Sequence, residues 1–271
     1  MGKKRIGIIG YGHLGRHLTQ AVLAHPQLEL AFVWNRTPSS LQELDERYIC
    51  SDLQDAGSFN ADVIVEVAHP YISSEYGEHL LGLAHYLMGS PTALADEQLE
   101  QRLRAKANAG SYGLYLPAGA LWGGTDIRKM ADLGTLESLK ITMKKHPSSF
   151  KLVGDLQKTC ASVRAEAVTL YEGRVRELCA VAPNNVNTMA AAAVAAHNLG
   201  FDGVQAKLVA DPQLSSWHVV EVEVGGPGGF QVTTERKNPA AVGAVTGNVT
   251  YSAFVSSVLA AGLQGNGVHL C

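Results

Sequence analysis

The segment Gly10-Tyr11-Gly12-His13-Leu14-Gly15 sets three glycines at positions with separate jobs. The first permits a tight turn, the second lets a phosphate approach the backbone, and the third lets a helix pack closely on a strand. That spacing has meaning only between a strand and a helix. Arg5 to Ile9 reads as a short apolar strand and Leu14 to Ala24 as a helix, so the context is met. The loop predicts a dinucleotide site contacted by Gly10, Gly12, His13, Leu14 and Gly15, with the pyrophosphate on free N–H groups at the helix start. The next strand, Leu28 to Trp34, runs into Asn35-Arg36 instead of the acidic residue that accepts from the ribose hydroxyls in NAD-specific sites. An amide does not repel a 2′-phosphate and a guanidinium pairs with one, so NADP is favoured, with NAD also accepted. The plainer alternative is that Arg36 is a solvated loop residue.

Further candidates lie after strands, where open parallel sheets bind ligands. Ala68-His69-Pro70, Gly89 to Ala93 and Pro117 to Ala120 each join small or turn-forming residues to a strand end. Ala68 and His69 are candidate cofactor contacts, although His69 can equally serve only to shape the His-Pro turn. In Trp217 to Val224, alternation puts His218 in one row with Val220, Val222 and Val224. An imidazole heading an apolar row is either a satisfied core residue or a proton carrier. Asn184, Asn185 and Asn187 stack amides at the start of a helix, where Asn187 or Thr188 can cap it or an amide can bond a nicotinamide carboxamide. Lys144 and Lys145 are candidate carboxylate partners but read as a solvated basic pair, outside the site.

These residues need a scaffold, and 271 residues with 46% hydrophobic and 17% charged side chains can bury one. The net charge of −3 and the lack of a basic run argue against nucleic acid and membrane surfaces as partners. No stretch reaches the roughly 18 apolar residues of a membrane span. Cys50, Cys160, Cys179 and Cys271 lie too far apart for a zinc motif and fit reduced thiols of a cytoplasmic protein, so no metal is expected.

Strands and helices alternate as far as about Ala120, with Ala61 to Ala68, Tyr86 to Gly89 and Leu114 to Pro117 as strands and Tyr76 to Ala84 and Glu97 to Ala109 as helices. That order predicts an α/β fold with a doubly wound parallel sheet over residues 1–121. An α+β unit over 122–252 follows, with strands at Ser138 to Met143, Trp217 to Val224, Phe230 to Arg236 and Gly247 to Tyr251, and a helix at Thr188 to His197. Gly225 to Gly229 reads as a hairpin loop. Residues 253–271 hold a terminal helix whose packing the pattern leaves open.

Taken in order, the glycine loop, Pro117-Ala118-Gly119-Ala120-Leu121-Trp122-Gly123-Gly124-Thr125-Asp126, Pro183-Asn184-Asn185-Val186-Asn187 and Ala210-Asp211-Pro212 ahead of His218 resemble the L-aspartate dehydrogenase family, in particular its animal branch. The likeness spans almost the whole chain. It implies a homodimer that oxidises L-aspartate with NAD or NADP to iminoaspartate, released as oxaloacetate and ammonia, or runs the reverse amination. It places cofactor contacts on Ala120 and Asn187 and the catalytic role on His218. Trp122 departs from the aliphatic residue of the microbial members. Competing readings are a related NADP-dependent imine or aldehyde reductase and a catalytically silent NADP-binding sensor.

Overall fold

The computed structural model describes residues 2–241, 243–244 and 248–271. By contacts the chain divides into two compact units. The first holds residues up to Pro117 together with Ala253–His269 and Cys271, and the second holds Ala118–Ser252 and Leu270.

In the first unit the order is β1 (Lys4–Ile9), α1 (His13–Ala24), β2 (Leu28–Trp34), β3 (Val63–Glu66), α2 (Pro70–Leu83), β4 (His85–Met88), α3 (Glu97–Ala109) and β5 (Gly113–Leu116). The strands are short, apolar and buried on both faces, as parallel strands covered by helices must be. β1 pairs in parallel with β2 and β3, β3 with β4, and β4 with β5. The resulting order β5-β4-β3-β1-β2 is that of a nucleotide-binding sheet. α2 begins earlier than its apolar pattern implied, because Pro70 at its first position is preset for the helix.

The second unit contains α4 (Gly124–Asp132), β6 (Ser138–Lys145), α5 (Gly154–Ser162), β7 (Val168–Arg174), α6 (Val175–Val181), α7 (Asn187–Ala195), α8 (Gly200–Gly203), β8 (Gln205–Ala210), β9 (Trp217–Gly226) and β10 (Phe230–Pro239). Its five strands run β10-β9-β6-β8-β7 in a mixed sheet. β9 pairs antiparallel with both β6 and β10, so it lies in the middle of the part of the sheet that matters below. One face carries Leu139, Ile141, Met143, Val220, Val222 and Val224, all buried. On the other face Lys144 bonds Glu221 and Lys140 bonds Glu172. The hairpin at Gly225–Gly229 forms as the glycine run predicts, with Gly228 and Gly229 at positive φ.

The strand expected at Gly247–Tyr251 is not there. Gly247 lies outside the described residues, and Asn248 to Tyr251 open a helix, α9 (Asn248–Ala260), followed by β11 (Gly267–Leu270). The β-branched start of this segment favours a strand locally, but tertiary packing decides otherwise. Phe254, Val258 and Ala261 recur at helical spacing and are buried in the core of the first unit with Ile6, Leu30 and Val65. The Lys4 ammonium donates to the carbonyls of Leu259 (2.6 Å) and Ala261 (2.8 Å) at the end of α9, and β11 adds itself beside β5. The segment of undecided packing thus completes the nucleotide-binding sheet at six strands.

Candidate active site

The first unit supplies a phosphate cradle. Gly10 has φ +107° and stands against the backbone of Ala68, so only glycine fits. A Cβ on Gly15 would lie 1.9 Å from the carbonyl oxygen of Gly10, which fixes how closely α1 packs on the loop. A Cβ on Gly12 meets nothing within 4 Å, so the space over the loop is open. α1 has no side-chain cap and no acidic residue in its first turn, which leaves its leading N–H groups and positive dipole end to an anion. His13 is exposed and Leu14 partly buried at this helix start. The residues fit a bound dinucleotide.

Asn35 has structural work here. Its Oδ1 accepts from the Tyr11 N–H at 3.0 Å, and its Nδ2 donates to Ser40 Oγ at 2.7 Å and the Thr37 carbonyl at 3.2 Å. The amide therefore ties the glycine loop to the turn after β2, and the neighbouring Arg36 stands exposed. Arg36→Ala is expected to weaken NADP binding about 10–150-fold, the worth of one charge-assisted contact, and NAD binding little. Fluorescence titration with both cofactors checks this, and equal losses would show that Arg36 does not read the 2′-phosphate.

The loop after β3 has an organiser that the sequence reading missed. Glu66 is fully buried, and its carboxylate accepts four hydrogen bonds, from Ala68 N, His69 N, Ser90 N and Ser90 Oγ, at 2.7 to 3.1 Å. It joins the loop after β3 to the loop after β4. Burial pushes its pKa up against those four donors, to about 7. Ala68 and His69 are exposed, and His69 caps α2 by accepting from the Tyr71 N–H at 3.2 Å. His69 thus shapes the start of α2, whatever else it contacts.

Because its folded-state pKa lies above the unfolded value of 4.5, Glu66 holds its proton more tightly in the folded protein. Its contribution to stability is fully present below pH 4.5 and declines as pH rises through about 7. Denaturation at pH 5 and pH 8 is expected to show a larger loss for wild type than for Glu66→Gln, whose amide does not ionise. Equal losses would mean that Glu66 titrates as an ordinary carboxylate.

The second unit holds His218, the residue expected to carry protons. His218, 5% exposed, sits on the apolar face of β9 in the row with Val220 and Val222. Among the described residues its Nε2 has no hydrogen-bond partner. The Ala244 backbone near the ring favours the protonated form. Burial first, and the charge of Lys145 second, hold its pKa down to about 4.

Lys145 is the correction. It is 4% exposed and not half of a solvated pair. Lys144 pairs across the strands with Val219 and bonds Glu221 Oε1 at 2.5 Å on the open face. Lys145, one residue on, points to the opposite face and stands across from His218. Burial lowers its pKa to about 8.

Two residues that the sequence does not single out, Arg236 and Asn238, link the His218 strand to the loop before Ala120. Asn238 pairs with His218 in register on β10, and Arg236 pairs with Val220. The Arg236 guanidinium donates to Asn238 Oδ1 at 2.7 Å and to the Gly119 carbonyl at 3.1 Å. Ala120 N donates to Thr188 Oγ1 at 3.4 Å, which brings the Ala120 loop to the start of α7, where Asn187 is the first residue. The N-cap of α7 is Val186, not Asn187 or Thr188, because Thr188 is turned to Ala120. Asn185 is a staple, exchanging hydrogen bonds with the backbone N–H (3.1 Å) and carbonyl (2.6 Å) of Lys151, and Asn184 is exposed. Among the described residues no group of His, Cys, Asp and Glu is placed to hold a metal ion.

Comparison with known proteins gives this arrangement a context. Residues 10–117 match the family model described as homoserine dehydrogenase, NAD binding domain, and residues 126–257 match aspartate dehydrogenase, C-terminal. An aspartate dehydrogenase domain-containing protein of Xenopus tropicalis is 51% identical, over 99% of this chain and 98% of its own.

The chain belongs to the aspartate dehydrogenase family.

A family member named L-aspartate dehydrogenase in Pseudomonas aeruginosa is 36% identical over 66% of this chain and 67% of its own length. The crystal structure of aspartate dehydrogenase from Thermotoga maritima has the same fold, with a TM-score of 0.72 over 94% of each chain at 21% identity. The family resemblance drawn from the motifs is shown, as is the α/β fold with a parallel nucleotide-binding sheet and a mixed second sheet. As in the family, the first unit is an NAD(P)-binding domain. No helix among the described residues is long and apolar enough to cross a membrane.

Proposed function

We propose that this chain catalyses NAD(P)-dependent oxidative deamination of L-aspartate, with His218 as the proton-handling group. The observation that carries the reading is a buried imidazole, neutral near pH 7, whose Nε2 has no partner among the described residues, in a family whose microbial relatives are named L-aspartate dehydrogenases. Backbone groups of Gly10, Gly12, His13, Leu14 and Gly15 would hold the pyrophosphate, and Arg36 the 2′-phosphate of NADP. Ala68, His69, Ala120 and Asn187 would contact the remainder of the cofactor. When bound, the nicotinamide supplies the hydride acceptor.

His218 Nε2 takes the proton from the substrate ammonium, which frees the nitrogen lone pair to form the C=N bond as hydride leaves Cα. Approach of the anionic substrate offsets the repulsion from Lys145 and raises the basicity of the imidazole toward the range useful for proton transfer. The imidazolium then returns its proton as water adds to the imine carbon and ammonia departs. The balance is L-aspartate, NAD(P)⁺ and water giving oxaloacetate, ammonium, NAD(P)H and a proton.

A bare buried base is also what a silent cofactor sensor would lack. The test is spectrophotometric reduction of NADP⁺ and NAD⁺ across L-aspartate, D-aspartate, L-glutamate and L-alanine. Reduction with L-aspartate alone among them supports the proposal, and reduction with none overturns it. The homodimer implied by the family resemblance belongs to the same reading and is checked by light scattering.

A further inference from the structure

We propose that Lys145 and Arg236 are the two cations that hold the carboxylates of a four-carbon dicarboxylate, one on either side of His218. The inference rests on the amino-acid dehydrogenase reading for its chemistry and on the sheet register for its geometry.

β9 is the middle strand of three. Across its covered face, Met143, Val220 and Arg236 form one row, and His218 pairs with Asn238 in the next, where carrying the β6 register one residue past Lys144–Val219 brings Lys145 opposite His218. Adjacent strands lie about 4.8 Å apart, so the two cations rise from backbones about 10 Å apart with the imidazole between them. Both side chains are long enough to lean over β9 from opposite sides. A ligand with a negative charge at each end and its reacting carbon between would meet both cations while its centre lies beside Nε2.

Each cation is also prepared. The Lys145 ammonium is buried, 5.8 Å from the centre of the Phe150 ring, where an anion interacts in a low-dielectric setting. Its strand neighbour Lys144 points the other way and is committed to Glu221. The Arg236 guanidinium is held by Asn238 and by the Gly119 carbonyl, bonds that use two of its five N–H groups and fix its plane. Asn238 in turn donates to the His218 carbonyl at 3.5 Å, so hydrogen bonds link the arginine through the asparagine to the histidine strand. A fixed fork facing a carboxylate loses little side-chain freedom when it binds. Two cations also supply selectivity, because a dicarboxylate can meet both and a monocarboxylate only one.

The test is calorimetric binding of succinate and of butyrate to the cofactor-loaded protein, together with KM and kcat for L-aspartate. Succinate is expected to bind wild type at least 100-fold more tightly than butyrate. Lys145→Met and Arg236→Met should each weaken succinate about 10–100-fold, leave butyrate within a few-fold, and raise KM far more than they lower kcat. Lys145→Arg, which keeps the charge, should recover most of the succinate affinity. If Lys145→Met does not fold, the comparison between Lys145→Arg and Arg236→Met on its separate strand still decides.

Equal affinity of wild type for succinate and butyrate, or variants that weaken both ligands alike, would overturn the assignment. Should wild type oxidise L-aspartate while the variants keep its KM, the carboxylate assignment fails and the dehydrogenase reading stands. Charge-dependent succinate binding without turnover of any amino acid would uphold the assignment and remove that reading.

Discussion

Replacing His218 by Ala is expected to lower kcat by roughly 10²–10⁴-fold, the usual worth of a positioned acid–base group. The substitution deletes a side chain at the head of a buried row on β9, and the rest of the row, Val220 to Val224, is untouched. Cofactor affinity should stay within a few-fold, because the phosphate cradle belongs to the glycine loop of the first unit. His218→Asn separates chemistry from packing. It keeps a polar group that can bond the Ala244 backbone, yet it cannot accept a proton near neutrality, so it should be nearly as slow as His218→Ala. Wild-type turnover by His218→Asn would show that the imidazole only fills space.

Gly12→Val carries the second large effect, this time on binding. Gly12 has φ −76°, a value that any residue adopts, and a Cβ there meets no protein atom within 4 Å. The variant should therefore fold with near-wild-type stability, and the branched side chain would occupy only the space through which the pyrophosphate reaches the N–H groups of α1. A loss of more than about 100-fold in NADP affinity is expected, since anion contacts at a helix start and close backbone approach are lost together. Gly15→Ala is the instructive contrast. Its Cβ would fall 1.9 Å from the Gly10 carbonyl oxygen, so that protein should lose stability before binding can be asked about. Thermal denaturation beside fluorescence titration distinguishes the two. A folded Gly12→Val protein with unchanged affinity would remove the glycine loop as the phosphate site.

What could be read from the chain alone follows from how local each signal is. The glycine loop is a contiguous motif with a strand on one side and a helix on the other, and both were legible. The row that buries His218 is a period-two pattern within one strand, equally local. Lys145 was missed although the same pattern held it. β6 alternates Leu139, Ile141 and Met143 inward, which puts Lys145 in phase with the core and Lys144 out of phase. Taking two adjacent lysines as one feature hid the fact that strand neighbours face opposite ways. Glu66 also left a trace, as a lone carboxylate in an otherwise apolar strand, a place where charges rarely lie without a network of partners.

Other features left none. Arg236 stands in a polar run of β10, and only the long-range pairing with β9 and the approach of Gly119 distinguish it from its exposed neighbours. The β7 and β8 strands and the helices α4, α5 and α6 are short, and the sequence reading passed over them, although α4 has a distinct apolar side with Ile127 and Ala131 buried. α9 was the sharpest conflict. Its first residues favour a strand on local propensity, and contacts with a core built mostly from residues far earlier in the chain make them helical.

That last element bears on how the molecule is made. During synthesis the chain lays down β1 to β5 first, then the whole of the second unit, and only afterwards α9 and β11. Until those emerge from the ribosome, β5 is an unpaired sheet edge and the seats of Phe254 and Val258 in the first core are empty. The second unit, continuous in sequence, can close earlier. The nucleotide-binding unit is thus begun before the second unit and completed after it.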